Sequence, residues 1–282
     1  MKNDKKPGYK NSNFENNKKH NERPASPASL GGLKIIFEND DYIVIDKPSG
    51  IVVNKSDTTN AGVTLQDLIV GENIIDKNEK EEEFLNKAGI VHRLDKETSG
   101  VLIIAKNAKT FKDIQSQFKA RSVEKTYIAL VHGSIKPGKG EINAPVGRLP
   151  WNRKRFGVIA QGREATTSYE VISNFKSPPA SPSKAGRAIS NEILSLVRLF
   201  PKTGRTHQIR VHLKHIGHPI FSDPVYGGRK TSRNDRKILS RIFLHASDIS
   251  FNDPDSNERV TFKRELPLEL LELLKKLEKL EK

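Results

Sequence analysis

The chain has 282 residues, a formal net charge of +15 and a pI of about 9.8. That length holds one large domain or two small ones with a substantial core, and the positive balance favours a polyanionic partner, nucleic acid above all. With no cysteine in the sequence, disulfides, thiolate catalysis and cysteine-ligated zinc are excluded, and no run of about 18 apolar residues is present to span a membrane.

Residues 1–32 have almost no apolar content and close on a Pro/Ala/Ser/Gly linker, so a disordered basic arm is expected. Residues 1–30 hold seven Lys/Arg against three Asp/Glu, a net of +4, which leaves +11 on the rest. The arm reads equally as an RNA-touching segment or an idle solvated tail. It lacks the apolar core of a signal peptide and the acid-poor composition of a transit peptide, and a cytoplasmic location is expected.

Order is expected from "LKIIFENDDYIVIDKPSGIVV" onward. Ile35–Phe37 and Tyr42–Ile45 are β-rich runs split by the turn Asn39-Asp40-Asp41. Pro48-Ser49-Gly50 is a turn signal, after which Ile51–Val53 resumes extended chain. "TLQDLIV" is a short helix. The charged segment over about 72–85 reads as a flexible insertion. In "NAKTFKDIQSQFKARSVEK", Phe111, Ile114 and Phe118 share one helical face, Lys112 and Lys119 point outward, and Asn107 is the N-cap. "TYIALVHG" is apolar on both faces, as a central strand is. A second flexible insertion covers about 175–192, before the strand "ILSLVRLF". Leu270, Leu273, Leu274, Leu277 and Leu280 form one stripe of a C-terminal helix over about 268–281. Strands dominate the middle and helices are few, so the fold class is α+β.

Three constellations carry chemistry. In "GIVHRLDKETSGVLIIAKN", Arg93 and Asp95 sit at the joint of two buried-looking runs. Asp95 is either a turn aspartate capping "DKETSG" through its own backbone or a functional carboxylate, since neither a carboxylate nor an arginine is buried without a partner. In "TGRTHQIRVHLKHIGHPIFSDPVYG", histidines at 207, 212, 215 and 218 accompany Arg205, Arg210 and Lys214. Those spacings fan the imidazoles around a helix rather than aiming them at one point, and no HExxH or helical carboxylate is present, so a metal site is not expected. The alternatives are a His/Arg-rich helix beside an anionic ligand or plain packing. The patch "GRLPWNRKRFG" alternates four cations with Trp151 and Phe156, suited to phosphate contact and base stacking, or else a polar hairpin tip. "GGRKTSRNDRK" reads as an exposed loop. No phosphate-binding Gly loop and no GxSxG elbow occurs.

"HRLDKETSG" with "LIIAKN", then "KTYIALVHG", then "TGRTHQIRVHLKHIGHPIFSDPVYG", together with "IIFENDDYIVIDKPSGIVV" and "IFLHA", resembles the RluA-type RNA pseudouridine synthases. The resemblance covers about residues 33–268 and rests on several motifs in the right order. It implies one catalytic domain over 33–282 with the pseudouridine synthase fold: a mixed, mostly antiparallel central sheet, flanking helices and loops, and an active-site cleft across the sheet. The S4-type RNA-binding domain frequent in that family is not apparent. By the same resemblance, Asp95 would be the catalytic aspartate, Arg93 would help extrude the target nucleotide, Tyr127 would stack on the uracil, and Arg210 would pair with Asp95. Leu244, or its neighbours Ile242 and Phe243, would wall the pocket.

The implied reaction breaks the C1′–N1 bond of uridine, turns the uracil and rejoins it through C5. It calls for one well-placed carboxylate and no cofactor or metal, whereas glycoside hydrolases generally use two carboxylates. A uridine inside structured RNA must be flipped out first, at roughly a few kcal/mol. Large-subunit ribosomal RNA is the family's commonest target, with tRNA next, and a monomer is expected. The competing readings are a catalytically idle RNA-binding protein and a nucleoside or sugar hydrolase.

Overall fold

A computed structural model of the chain describes residues 31–55, 62–76, 78–176 and 193–280. The basic arm, most of the 175–192 insertion and the side chains of Arg153 and Lys154 in the cationic patch lie outside the described residues.

In chain order the elements are β1 (Lys34–Glu38), β2 (Tyr42–Lys47), α1 (Leu65–Gly71), α2 (Glu82–Lys87), β3 (Ser99–Ala105), α3 (Ala108–Ala120), β4 (Glu124–His132), β5 (Lys139–Asn143), β6 (Val146–Leu149) and β7 (Asn152–Val158). They continue with β8 (Thr166–Lys176), β9 (Ile193–Pro201), α4 (Gln208–His215), α5 (Arg229–Asp235), β10 (Leu244–Asn252), β11 (Arg259–Lys263), α6 (Leu268–Lys276) and β12 (Glu278–Leu280). Ten strands form one sheet in the order β1-β2-β3-β10-β4-β9-β8-β12, with β11 beside β10 and β5 beside β8, while β6 and β7 form a separate hairpin. Every pairing in the large sheet is antiparallel except β3 with β10. This is the mixed, mostly antiparallel α+β architecture expected of the sequence.

Local chemistry accounts for the elements. Asn39 Oδ1 accepts the Asp41 and Tyr42 amides and so closes the β1–β2 turn. Thr64 and Asp67 form a capping box at α1, and Asn107 caps α3 through the Thr110 amide. In β2 and β3, side chains alternate between two cores. Ile43, Ile45, Leu102 and Ile104 pack toward Leu65, Phe84 and Phe111. Tyr42, Val44, Val101 and Ile103 pack toward Ile114, Val123 and Phe251. Burial on both faces explains why these strands read as unbroken apolar runs.

The local pattern differs from the observed structure at four places. Ile51–Val53 is not a strand; the Val52 and Val53 carbonyls accept the Leu65 and Gln66 amides at the start of α1. The charged 72–85 segment runs into α2, because Phe84 is fully buried edge-on to Phe111, with ring centroids 5.6 Å apart. The cationic "GGRKTSRNDRK" segment contains α5, whose Asp235 is buried and accepts the Ser222 amide and meets His132 Nε2. The C-terminal helix stops at Lys276; Leu277 turns extended and Glu278–Leu280 pairs with the edge of β8, satisfying backbone groups that the edge would otherwise expose.

One seam positions the site. β3 meets β10 only at Ser99 and Gly100. Past it β10 turns away to pair with β11, and the segment entering the HRLD motif takes the vacated edge: Ile90 bridges Ile104, and the Ala105 amide donates to the Gly89 carbonyl. Gly100, at φ 120°, allows the close approach, since a Cβ there would lie 2.1 Å from the Ala246 carbonyl oxygen. Gly100→Ala is therefore expected to destabilise the fold by more than ~2 kcal/mol, from backbone strain plus overpacking, read as a lowered urea midpoint at unchanged slope.

Candidate active site

Asp95 ends the irregular stretch 91–95 that crosses the mouth of the seam between β3 and β10. The stretch is pinned from behind. The Thr98 amide donates to the Asp95 carbonyl at 3.1 Å, making a turn. The fully buried Lys47 ammonium donates to the carbonyls of Pro48, Lys96 and Thr98. Burial, with the nearby Arg241, pushes the Lys47 pKa down to about 7. At its start the stretch is pinned by His92, whose Nε2 accepts the Ile103 amide at 3.0 Å, the amide that β10 has left without a strand partner. Because an amide only donates, this Nε2 carries a lone pair and the imidazole is neutral. Burial, followed by the charge of Lys125, pushes its pKa down to about 3.

The Asp95 carboxylate is anchored by one oxygen. Arg210 Nη1 donates to Oδ2 at 3.0 Å, while Oδ1 accepts no hydrogen bond from any described residue. Arg210 is itself clamped: its Nε and Nη2 donate to Asp223 Oδ2 and Oδ1 at 2.8 and 3.0 Å, a two-bond fork that fixes the guanidinium plane. Asp223 is fully buried, and its Oδ1 also accepts the Val225 and Tyr226 amides. Burial opposes the charge on both members. For Arg210 the hydrogen bonds and charges of Asp223 and Asp95 outweigh it and hold the guanidinium above its ordinary pKa. For Asp223 the hydrogen bonds and charge of Arg210 outweigh it and hold the carboxyl below the usual range. The Tyr226 ring lies under the guanidinium, 5.1 Å from its carbon to the ring centroid.

Asp95 opens into a cleft of about 960 Å³. Among the described residues its lining carries nine Lys or Arg side chains, and Asp95 is the single acidic one. Tyr127, on β4, lines it; burial and then the Asp95 charge push the phenol above its ordinary pKa, so the ring faces the cleft as a neutral hydroxyl. Leu244, the first residue of β10, contributes apolar wall, whereas Ile242 and Phe243 are buried and do not line the cleft. Arg93 is exposed at the rim. The five residues singled out from sequence thus converge on one cleft. Arg121 and Arg205 also line the cavity, and Arg205 Nε is held on the Glu164 carbonyl at 3.1 Å. Burial and then the charges of Arg163 and Arg121 lower the Arg205 pKa, against a smaller opposing pull from Glu164. Lys125, two residues from Tyr127 on the same strand face, is pushed by burial to about 8.

Local sequence reading overlooked Asp223, Tyr226, Lys47 and Arg121, and it named Arg205 only as one cation of the His/Arg-rich segment. Asp223 had a usable signal, since one carboxylate cannot satisfy a buried guanidinium with five donors and a second acceptor had to exist. Of the four histidines, His212 is fully buried with Nδ1 on Thr167 Oγ1 and Nε2 on the Ala144 carbonyl, each at 2.9 Å, which is a packing role. Among the described residues no group of three or more potential ligands is placed to hold a metal ion.

Comparison with known proteins bears on this arrangement. The sequence profile described as RNA pseudouridylate synthase matches residues 41–215, a span that holds Asp95, Tyr127 and Arg210. The chain belongs to the RNA pseudouridylate synthase family. It is 35% identical over 238 residues to the ribosomal large subunit pseudouridine synthase D of Nitrosomonas europaea, covering 83% of this chain and 62% of that protein. The protein of the same name from Pseudomonas aeruginosa is 35% identical over 247 residues, covering 85% of this chain and 70% of that protein. The chain thus spans somewhat under two thirds of the Nitrosomonas relative. Among solved structures, human RNA pseudouridylate synthase domain containing 1 superposes with a TM-score of 0.65 at 27% identity, covering 90% of this chain and 91% of that one. Human RNA pseudouridylate synthase domain containing 4, at 23% identity and a TM-score of 0.60 over 86% of this chain and 93% of that one, shares the fold. Among the described residues, no helix of this family member is long and apolar enough to cross a membrane.

The neutral His92 couples the site to pH. Its folded-state pKa lies below the unfolded value near 6.5, so below pH 6.5 the unfolded chain binds a proton that the folded one refuses. The stability it contributes is present above about pH 6.5 and is lost as pH falls toward 3. The urea midpoint should therefore drop between pH 7 and pH 5. His92→Phe, which keeps a ring beside Phe118 but orphans the Ile103 amide, should cost about 1–3 kcal/mol at pH 7 and flatten that pH dependence.

Proposed function

We propose that this chain is an RNA pseudouridine synthase that isomerises uridine in structured RNA, with Asp95 as the catalytic carboxylate and large-subunit ribosomal RNA as the substrate class. The observation that carries the reading is the asymmetric setting of Asp95: Oδ2 held by Arg210, Oδ1 free in a cleft whose other charged groups are all cations. A carboxylate beside a guanidinium stays ionised when substrate displaces water, and here the partner is immobilised by a second, buried carboxylate, so Asp95 is both charged and fixed in place. The cationic walls favour a phosphate backbone. The neutral Tyr127 ring and Leu244 offer a stacking surface and an apolar wall to a flipped base. Arg93, free at the rim, is placed to occupy the gap that the base leaves. A hydrolase of the two-carboxylate kind is disfavoured, because among the described residues the cleft lining holds no second acid. The names of the Nitrosomonas and Pseudomonas relatives support ribosomal RNA as the target. One domain acting as a monomer suffices for this chemistry, as no step needs a second active site.

The deciding experiment maps pseudouridines in total RNA from cells with and without the gene. Loss of one or a few sites in large-subunit RNA is expected; loss confined to tRNA would move the substrate, and no loss at all would leave an idle RNA binder. Asp95→Asn should abolish pseudouridine formation while RNA affinity survives. Asp223→Asn, which loosens Arg210 without touching substrate, should slow single-turnover formation by about 10²-fold, the scale of an ångström-sized misplacement.

Arg121→Gln combined with Arg205→Gln should flatten the slope of log binding constant against log salt by about 1.5, as expected for two lost phosphate contacts. An unchanged slope would place the backbone contacts elsewhere.

A further inference from the structure

The isomerisation leaves one proton without an obvious acceptor. When C1′–N1 breaks, the bonding pair departs with the uracil as an anion. When C1′–C5 forms from the C5–C6 π pair, C5 carries both the ribose and its hydrogen, and the ring is left with an N1=C6 double bond. The product is reached when the C5–H pair returns to the ring as C5=C6, the N1=C6 pair becomes a lone pair on N1, the C5 proton is taken by a base, and N1 gains a proton. Asp95 is already engaged in the bond-breaking half of the reaction. The Tyr127 phenol is held protonated by its burial and by Asp95.

His207 is the remaining group at the right place. It stands at the head of α4, between the Gly204 turn and Arg210, and lines the cleft. Its ring is boxed edge-on by Phe156 and Tyr226, with centroids 5.6 and 5.7 Å away. Nδ1 lies 2.9 Å from the Tyr226 hydroxyl oxygen, which also accepts the Phe156 amide at 3.2 Å. The same oxygen has a second lone pair to accept from the imidazole, and in that Nδ1–H tautomer Nε2 is left with its lone pair. Nε2 has no hydrogen-bond partner among the described residues and lies 3.9 Å from Asp95 Oδ2, inside the cleft. The backbone at His207 is left-handed, with φ 56°, a conformation that costs a non-glycine residue of order 1–3 kcal/mol and gathers at functional sites. The charged groups facing the ring are Asp95 and Asp223, which favour imidazolium, and Arg210 and Arg93, which disfavour it; burial is the largest influence and keeps the pKa below its ordinary value, so the base form is available at neutral pH.

We propose that His207 Nε2 is the base that removes the C5 proton after the new carbon–carbon bond has formed, with Tyr226 fixing the tautomer. The imidazolium then returns its proton to N1 or to water, so the cycle is neutral in protons and needs no further reactant. This assignment rests on the pseudouridine synthase reading.

The test is single-turnover kinetics on RNA containing uridine or [5-²H]uridine, with hydron release from C5 followed alongside pseudouridine formation. Wild type must first release the C5 hydron; if it forms no pseudouridine at all, the parent reading has failed and His207 is not at issue. Given active wild type, His207→Gln should slow turnover by about 10²–10⁴-fold, the usual worth of a general base, with RNA affinity retained and a primary isotope effect larger than the wild type's, because C5–H cleavage has become rate-limiting. Turnover lost without any rise in the isotope effect would overturn the proposal, leaving His207 a packing residue, and so would undiminished turnover. Should His207→Gln fail to fold, Tyr226→Phe provides the second arm. It keeps the aromatic box but frees Nδ1, and a smaller loss with a raised isotope effect is expected; an unchanged isotope effect would count against the assignment.

Discussion

The site is organised around a row of three charges, Asp95, Arg210 and Asp223, in which the middle member is shared unequally. Arg210 gives two parallel hydrogen bonds to Asp223 and one to Asp95. The fork to the buried carboxylate sets the guanidinium plane, and that plane sets the direction of the single bond reaching into the cleft. The row carries a net negative charge, so Asp95 is not neutralised by its partner as the two members of an isolated pair would be. It is held at one oxygen and, among the described residues, open at the other. Desolvating any one of these groups alone would be costly; together, each has an oppositely charged partner within hydrogen-bond reach.

Each member of the row comes from a different layer of the fold. Asp95 is carried by the segment that takes the edge of β3 abandoned by β10, Arg210 by the first turns of α4, and Asp223 by the chain that returns from that helix. The small contact between β3 and β10 is therefore the architectural constraint behind the chemistry. Had the two strands paired along their whole length, the HRLD segment would have had no edge to join and Asp95 no opening to face. Gly100, His92 and Lys47 serve this arrangement from three sides, the glycine by admitting the β10 backbone, the histidine by replacing a missing ladder partner, and the lysine by tying the following loop to the end of β2.

Around the row, the cleft separates its tasks by chemistry. Cations, Arg121 and Arg205 among them, line the flank formed by the end of α3 and the loop before α4, suited to a phosphate backbone. Tyr127 and Leu244 form an uncharged floor suited to a base. His207 lies between them, the one histidine of its segment with a nitrogen both unpaired and directed at Asp95. This division explains why a strongly basic protein maintains, at one point, an ionised acid.

The sequence by itself determined the elements whose signals are local: the β2 and β3 runs, the capped helices α1 and α3, the central β4 strand, and the order of motifs that points to the family. Asp95 stood out locally, because a charged residue amid apolar chain is conspicuous in one dimension, whereas Tyr127 and the pairing of Arg210 with Asp95 came from the resemblance to the family. Tertiary structure decided whatever depends on a partner distant in the chain. The stop of the leucine stripe at Lys276 was set by the open edge of β8, and the helix in the cationic 229–235 stretch by the burial of Asp235 against His132 and Ser222. The role of Asp223 was set by a guanidinium needing more acceptors than Asp95 supplies, and the difference between His207 and His212 by which ring nitrogens the surrounding backbone and hydroxyls had already claimed. Periodicity and capping are encoded within a few residues; hydrogen-bond satisfaction in a buried site is a count taken over the whole fold.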